Sequence, residues 1–342
     1  MKIWFDILTP KQYLFFEYFI QKLRKQHKII STTRKYDQVN GIRKFGSINP
    51  ILVGRHGGKD NVSKLLASLD RTKLLTKKIV KNKPDLLISF CSPEASRVSY
   101  GLGIPHIAFS DSPHAKAVMK LSLPYVTKLL TPWIFTKNDF KEFGINSKDI
   151  IRYKAIDAGV IIKNYKKNNQ KKSRVQKTIL IRPEETEAAY INKKSRTIKI
   201  IKKIVQKFPD EEKIVLSRYS DQTNEIKRIF GKKVSILGKP VSGKELLNKV
   251  DCFVGSGGTM TAEAGLLGIP TISLNAVPNK IENFLVKNKI IIRSENVDRI
   301  SKEIFRALND SSSVTKRKQN AKKLVRSFED PYQVLLKTMR SL

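Results

Sequence analysis

Between Gly255 and Pro270 the chain reads Gly-Ser-Gly-Gly-Thr-Met-Thr-Ala-Glu-Ala-Gly-Leu-Leu-Gly-Ile-Pro. The apolar run Cys252-Phe-Val precedes it and Thr271-Ile-Ser-Leu follows, so the order is strand, glycine turn, helix, strand. Glycines allow close approach of a ligand to the backbone, and the free amides at a helix N-terminus favour anions. Glu263 lies about one turn past the glycines, on the face turned back toward that mouth. A phosphate group on the amides of Ser256, Gly257, Gly258 and Thr259 and a ribose diol on the Glu263 carboxylate are the natural occupants. A short glycine turn alone is also an ordinary strand–helix corner. Its place at a strand's carboxyl end, where open α/β sheets bind ligands, favours the nucleotide reading.

Three other stretches carry chemistry. Asp111-Ser-Pro-His114 follows the apolar run His106–Ser110. Its Asp and His could act as general base and partner on a hydroxyl, or Asp111 could cap a helix starting near Ala115 with His114 exposed in its first turn. Gly54-Arg-His-Gly-Gly58 surrounds Arg55 and His56 with glycines, so Arg55 can fork onto phosphate or carboxylate and His56, like His114, could partner Asp111 in deprotonating a hydroxyl; a plain turn with a surface His is the alternative. Glu94, after Cys91-Ser-Pro, is either a ligand contact or ordinary first-turn chemistry.

The elements that must position these residues alternate. Apolar runs at Ile3–Leu8, Ile29–Thr33, Ile51–Val53, Leu86–Phe90, His106–Ser110 and Trp133–Thr136 are separated by helical patterns, the first rich in aromatics, Tyr13-Leu-Phe-Phe-Glu-Tyr-Phe-Ile. Such alternation predicts a parallel sheet covered on both faces. Lys163–Lys177 holds Lys, Asn and Gln and no acids, which reads as a linker. A second series follows at Thr178–Ile181, Lys213–Leu216, Val234–Leu237, Cys252–Val254, Thr271–Leu274 and Ile290–Ile292, with helices expected over Ser195–Lys207, Asn224–Phe230, Lys244–Val250, Met260–Leu267 and Val297–Leu308. Ser242 and Glu245 have capping-box spacing. The expectation is two doubly wound Rossmann-like domains of the α/β class, 1–162 and 178–313, joined by a basic linker over 163–177. Ligand would lie in the cleft between them, and C-terminal helices would span 314–342 with a break at Pro331.

With 342 residues there is enough chain for two full cores. Cys91 and Cys252 each end an apolar run and read as small buried side chains. Lys2-Ile-Trp-Phe-Asp-Ile-Leu reads as a first strand and not as a signal peptide, and no apolar run has the length of a membrane span. A soluble cytoplasmic protein is expected. The net charge of +37, from 67 Lys plus Arg against 30 Asp plus Glu, favours polyanionic partners. No nucleic-acid-binding signature accompanies it and the basic residues are spread along the chain, so nucleic acid is disfavoured. A generally basic surface, or attraction to an anionic membrane, remains. The segment Ala117–Leu130 mixes apolar residues with Lys and could be core or could rest on such a membrane.

The Ser-Gly-Gly-Thr loop, the Glu four residues on and Leu267-Gly-Ile-Pro resemble the nucleotide-sugar loop of GT-B glycosyltransferases, especially the MurG type, and of UDP-N-acetylglucosamine 2-epimerases. Across nearly the whole chain, Trp4-Phe-Asp-Ile, Phe15-Phe, Gly54-Arg-His-Gly-Gly58, Pro93-Glu-Ala-Ser-Arg, Gly101-Leu-Gly-Ile-Pro, Asp111-Ser-Pro-His, Thr131-Pro and Arg182-Pro resemble the archaeal domain-of-unknown-function family 354. The resemblance implies a GT-B fold with the first domain as acceptor domain and the last helix crossing back onto it. It also implies diphosphate binding by Arg182 and backbone contacts to the base near Gly238; the nearby Glu184 and Glu185 could contact the sugar or only open a helix. Two departures stand out. Where the epimerases carry a carboxylate in a Pro-Glu-Glu segment this chain reads Leu123-Pro-Tyr-Val, and the glycine-rich acceptor loop of the MurG type is replaced by Leu8-Thr-Pro-Lys-Gln. The expected activity is therefore metal-independent and cofactor-independent glycosyl transfer from a UDP-N-acetylhexosamine to a glycan or lipid-linked acceptor. A sugar-nucleotide epimerase or hydrolase is the alternative, and a non-catalytic polyanion-binding protein is a third reading.

Overall fold

Apolar runs of four or five residues with no polar alternation become strands buried on both faces, which is what a parallel sheet between two helical layers requires. The computed structural model describes residues 1–35, 46–58, 60–163, 165, 176–183, 196–217, 220–237, 243–274 and 279–342. Most of the expected linker, together with Glu184, Glu185, Gly238 and Ser242, lies outside the described residues. The chain divides into two compact units, one comprising Met1–Val160 with Glu329–Leu342 and the other Ile161–Phe328.

In the first unit the strands are β1 (Lys2–Asp6), β2 (Lys28–Lys35), β3 (Ile51–Arg55), β4 (Leu86–Ser89), β5 (His106–Phe109), β6 (Lys128–Pro132) and β7 (Ile150–Tyr153). They form one parallel sheet in the order β3-β2-β1-β4-β5-β6-β7. Its helices are α1 (Pro10–Leu23), α2 (Asn61–Asn82), α3 (Pro93–Gly101), α4 (Lys116–Ser122) and α5 (Asn138–Lys141), with α6 (Asp157–Lys163) running on past β7. Thr9 starts α1 by accepting from the Gln12 amide, and Pro10 occupies the first turn, where its missing N–H costs nothing. The aromatic face of α1 is buried: Phe15 and Phe16 meet Phe90, and Phe15, Phe16 and Phe19 meet Phe109, in edge-on and tilted contacts with centroids 4.9–5.8 Å apart.

The second unit repeats the scheme with β8 (Thr178–Arg182), β9 (Glu212–Val215), β10 (Ser235–Ile236), β11 (Cys252–Gly255), β12 (Thr271–Ser273) and β13 (Ile292–Arg293), ordered β10-β9-β8-β11-β12-β13 and parallel throughout. Around it stand α7 (Arg196–Lys207), α8 (Ser220–Phe230), α9 (Gly243–Leu247), α10 (Thr259–Leu266), α11 (Lys280–Lys287), α12 (Val297–Asn309) and α13 (Ser311–Arg326). In each sheet the strand order reverses beside the first strand, between β1 and β4 and between β8 and β11, and ligands of open α/β sheets bind at such a reversal. The last helix, α14 (Pro331–Arg340), belongs to the first unit: Tyr18 donates to Asp330, and the Tyr332 ring meets those of Tyr18 and Phe19.

Two expectations are corrected, and a third stretch is placed. Trp133–Thr136 is a turn, held by the Phe135 amide on Pro132 and by Thr136 on Asp139; the strand lies just before it, over Lys128–Pro132. Ala117–Leu130, open between core and membrane contact, is divided by a short 3-10 turn at Pro124 between α4 and β6, and its Met119, Leu123, Leu129 and Leu130 are buried as core packing requires. Asp111 does not cap α4: the cap position is Ala115, without a side-chain bond, and the Asp111 carboxylate goes to Lys11. Both cysteines are free and buried. Among the described residues no helix is long and apolar enough to cross a membrane.

Candidate functional site

The glycine loop of the second unit is built by the end of β11. Gly257 and Gly258 have φ of +100° and +81°, values that L side chains rarely adopt, so the turn requires glycine at both positions. Gly258 is the N-cap of α10 and supplies no side-chain cap, so the first-turn amides receive no hydrogen bond from the cap residue. Ser256 is buried and donates to the Pro183 carbonyl, while Thr261 donates to Gly257 O and ties the loop to the helix. Glu263 is buried one turn on, and its Oε2 accepts from Tyr165 Oη at 2.8 Å. Burial pushes the Glu263 carboxyl up to about 7, against the opposing pull of the Tyr165 hydrogen bond.

Arg182 pairs in register with Gly255, which places it beside the loop. Its guanidinium Nη1 donates to the carbonyls of Leu216 and Ser217 at 2.9 and 3.0 Å. Glu282, at the start of α11, accepts from Ser273 and Arg293 through Oε1. Its Oε2 is buried without a hydrogen-bond partner among the described residues, and a Cβ on Gly257 would lie 3.0 Å from it. A side chain at 257 is thus opposed by both backbone and neighbour.

Two charge clusters sit at the carboxyl edge of the first sheet. In one, Arg71 of α2 is fully buried between Asp6, 2.6 Å away, and Glu94, 3.3 Å away, and its Nε donates to Val53 O. Thr32 also donates to Asp6 Oδ1, and Trp4 donates to Thr32, so the cluster is braced from β1, β2, α2 and α3. In the other, Lys11 Nζ lies 2.5 Å from Asp111 Oδ2 and 2.7 Å from Asp157 Oδ2, and Tyr153 donates to Asp157 Oδ1 at 3.1 Å. Burial, then the nearby Asp111 charge, push Asp157 up to about 7. Burial opposes ionisation of Asp111 too, but Lys11 and its hydrogen bonds outweigh this and hold it below the usual carboxylate range.

The residues singled out from sequence are thus distributed over distinct places. Ser256, Gly257, Gly258, Thr259 and Glu263 share one loop and helix, with Arg182 adjacent. Glu94 is engaged by Arg71, and Asp111 by Lys11. His56 accepts from the Gly58 amide beside the exposed Arg55, and His114 is exposed in the turn before α4. Four residues escaped the sequence reading. Tyr165 lies in the stretch read as linker, and Asp157 follows a strand that was not foreseen. Lys11 carries no signal of its own beyond its place in Leu8-Thr-Pro-Lys-Gln. Arg71 carried a usable signal, since it stands in the buried helical series Ala67, Arg71, Leu75, Ile79.

The chain belongs to the DUF354 family, described as "Protein of unknown function", which matches residues 1–341. It is 28% identical over 328 residues to an uncharacterized protein of Methanocaldococcus jannaschii, covering 91% of this chain and 92% of that one. Among solved structures it is similar to the UDP-GlcNAc 2-epimerase of Neisseria meningitidis bound to UDP-GlcNAc, with TM-score 0.72, 14% identity and 100% of both chains covered. It is also similar to a glycotransferase of kitacinnamycin, with TM-score 0.65 and 14% identity over 100% of this chain and 99% of that one. The fold is GT-B, two parallel-sheet α/β domains of seven and six strands.

Proposed function

We propose that the chain is a glycosyltransferase that takes a nucleotide-diphospho-sugar, a UDP-N-acetylhexosamine, and needs no metal. The observation that carries this reading is the start of α10 at Gly258, a cap residue with no side chain of its own, one turn before the buried Glu263 carboxylate. Amides and helix dipole suit a diphosphate, and a carboxylate suits a ribose diol. As the bond to the sugar breaks, negative charge grows on the diphosphate, and preorganised donors stabilise it most at that point. Arg182 lies on the strand next to the loop's own, with its guanidinium on the Leu216 and Ser217 carbonyls, and is the cation for the diphosphate to recruit. In the first unit Asp111 is the base that deprotonates the acceptor hydroxyl. The fold neighbours, an epimerase solved with UDP-GlcNAc and a glycotransferase, support nucleotide-sugar chemistry in general.

Epimerisation is the second reading, and one observation favours it: Asp111 and Asp157 put two carboxylates on one ammonium, as a pair of acid–base groups would need. Product analysis separates the two. Incubation with UDP-N-acetylglucosamine alone is expected to give no manno epimer, whereas supplying a panel of glycan and lipid-linked acceptors gives free UDP and a glycosylated product by mass spectrometry. Appearance of the manno epimer replaces transfer with epimerisation.

A lipid-linked acceptor would bring the protein to a membrane surface. What supports this is helix α2, where Val62, Leu65, Leu66 and Leu69 form an exposed stripe opposite its buried face, alongside the exposed Lys73, Lys77 and Lys81. Within a chain of charge +37, an anionic lipid surface is the complementary partner. Binding to vesicles of anionic lipid is expected at low salt, weakening as salt screens the lysines and absent with neutral lipid. Leu65→Asp and Leu69→Asp together should abolish it, and retention of full binding by that variant would remove α2 from the membrane contact.

A further inference from the structure

We infer that Lys11 and Asp157 are positioning residues for the base at Asp111, one ammonium shared by two carboxylates controlling where the acceptor's proton goes. This rests on the glycosyl-transfer reading above and adds two residues to its machinery. The three groups come from separate elements. Lys11 is on α1 just after β1, Asp111 follows β5, and Asp157 opens α6 after β7, so they converge at the carboxyl edge of the first sheet. Parallel sheets bind ligands at that edge.

The cluster is graded in accessibility. The side chains of Lys11 and Asp111 keep 22% and 12% of their surface exposed, whereas Asp157 keeps 2%. Substrate can therefore reach Asp111 and Lys11, while Asp157 acts through Lys11. Tyr153, fully buried, fixes Asp157 from the opposite side by donating to Oδ1. The Lys11 ammonium also lies 5.2 Å from the centre of the Phe90 ring, which restrains it between the two carboxylates. Among the described residues, Cys91 after β4, whose thiol senses Asp111, and Glu329 ahead of α14, which acts on Tyr153, also bear on the cluster.

The acceptor hydroxyl gives its proton to the Asp111 carboxylate as its oxygen bonds to the anomeric carbon. The bond from that carbon to the diphosphate oxygen breaks, and its electron pair leaves with UDP. When Asp111 is neutralised, Lys11 retains Asp157 as its ionic partner, so the ammonium is never left buried without a counter-charge. Asp111 then returns its proton to solvent.

Two isolated changes move Asp111 in opposite directions. Asp157→Asn removes a neighbouring negative charge and leaves Lys11 wholly to Asp111, which makes Asp111 a weaker base. Lys11→Met removes the positive charge and leaves two carboxylates facing each other, which raises the affinity of Asp111 for a proton. The experiment follows UDP release from UDP-N-acetylglucosamine against pH, with water as acceptor where no other is supplied. Each variant is expected to lose about 10²-fold in kcat with the donor KM unchanged. The acid limb should move to lower pH in Asp157→Asn and to higher pH in Lys11→Met. Carbon-13 titration of the Asp111 carboxyl should show the same opposite shifts without turnover. Should Lys11→Met not fold, Lys11→Gln carries the same comparison. An active wild type whose variants keep their kcat and acid limbs, or shift them in one direction, overturns this inference alone. A wild type that neither binds nor turns over the donor overturns the glycosyl-transfer reading and this inference with it.

Discussion

Arg71→Met is expected to destabilise the first unit by about 3–5 kcal/mol, the cost of leaving buried carboxylates without their counter-charge. Asp6 is wholly buried and Glu94 nearly so, and the guanidinium is the only cation paired with either among the described residues. Asp6 Oδ2 already lacks a hydrogen-bond partner among the described residues. The loss would lower the thermal midpoint of that unit by roughly 6–20 °C, at about 2–4 °C per kcal/mol for a domain of this size. The triple change Asp6→Asn, Arg71→Met, Glu94→Gln should recover much of the loss, because a buried ion cluster replaced as a whole costs far less than one broken by a single deletion. A midpoint in Arg71→Met within a degree of wild type would show that the cluster is solvated in solution. The same variants separate two roles for Glu94. If Glu94→Gln changes stability and leaves donor and acceptor kinetics alone, its place is with Arg71 and not with substrate.

How far the sequence could be read follows from where each signal was stored. The central strands β4 and β11, Leu86–Ser89 and Cys252–Gly255, are buried along their whole length, so the apolar run alone declared them. The edge strand β7 has one neighbour and exposes Arg152, so Ile-Ile-Arg-Tyr offered no long run, and Asp157 behind it went unseen. The glycine loop was legible because its backbone conformation demands glycine, a requirement written directly in residue type. Tyr165 was not, since its surroundings are Lys and Asn and its partner Glu263 is 98 positions away. Nor did sequence reveal that Glu94 and Asp111 are held by Arg71 and Lys11. Both pairings join elements distant along the chain, and charge alone does not disclose its partner.

Glu263→Ala is expected to weaken binding of UDP-N-acetylglucosamine about tenfold to a hundredfold, from the loss of about 1.5–3 kcal/mol of hydrogen bonding to a charged acceptor. Fold should be kept, since the change removes a buried carboxyl and leaves the Tyr165 hydroxyl to find other company. The carboxyl adds a pH signature. Burial pushes its folded-state value up to about 7, above the ordinary carboxylate range. Between that ordinary range and about pH 7 the folded protein therefore holds a proton that the unfolded chain has released. Without ligand this contribution to stability falls as pH rises through the window. Ligand binding runs the other way, because only the ionised carboxylate accepts from both hydroxyls of a ribose diol. Calorimetry with UDP-N-acetylglucosamine, whose diphosphate diester does not titrate near neutrality, should show affinity strengthening as pH is raised from about 6 to about 8. In Glu263→Gln that strengthening should vanish while weak binding persists. Tyr165→Phe removes the hydrogen bond that favours ionisation, so its affinity curve should lie at higher pH than that of wild type. Equal affinity for wild type and Glu263→Ala at pH 8 would reject the ribose assignment.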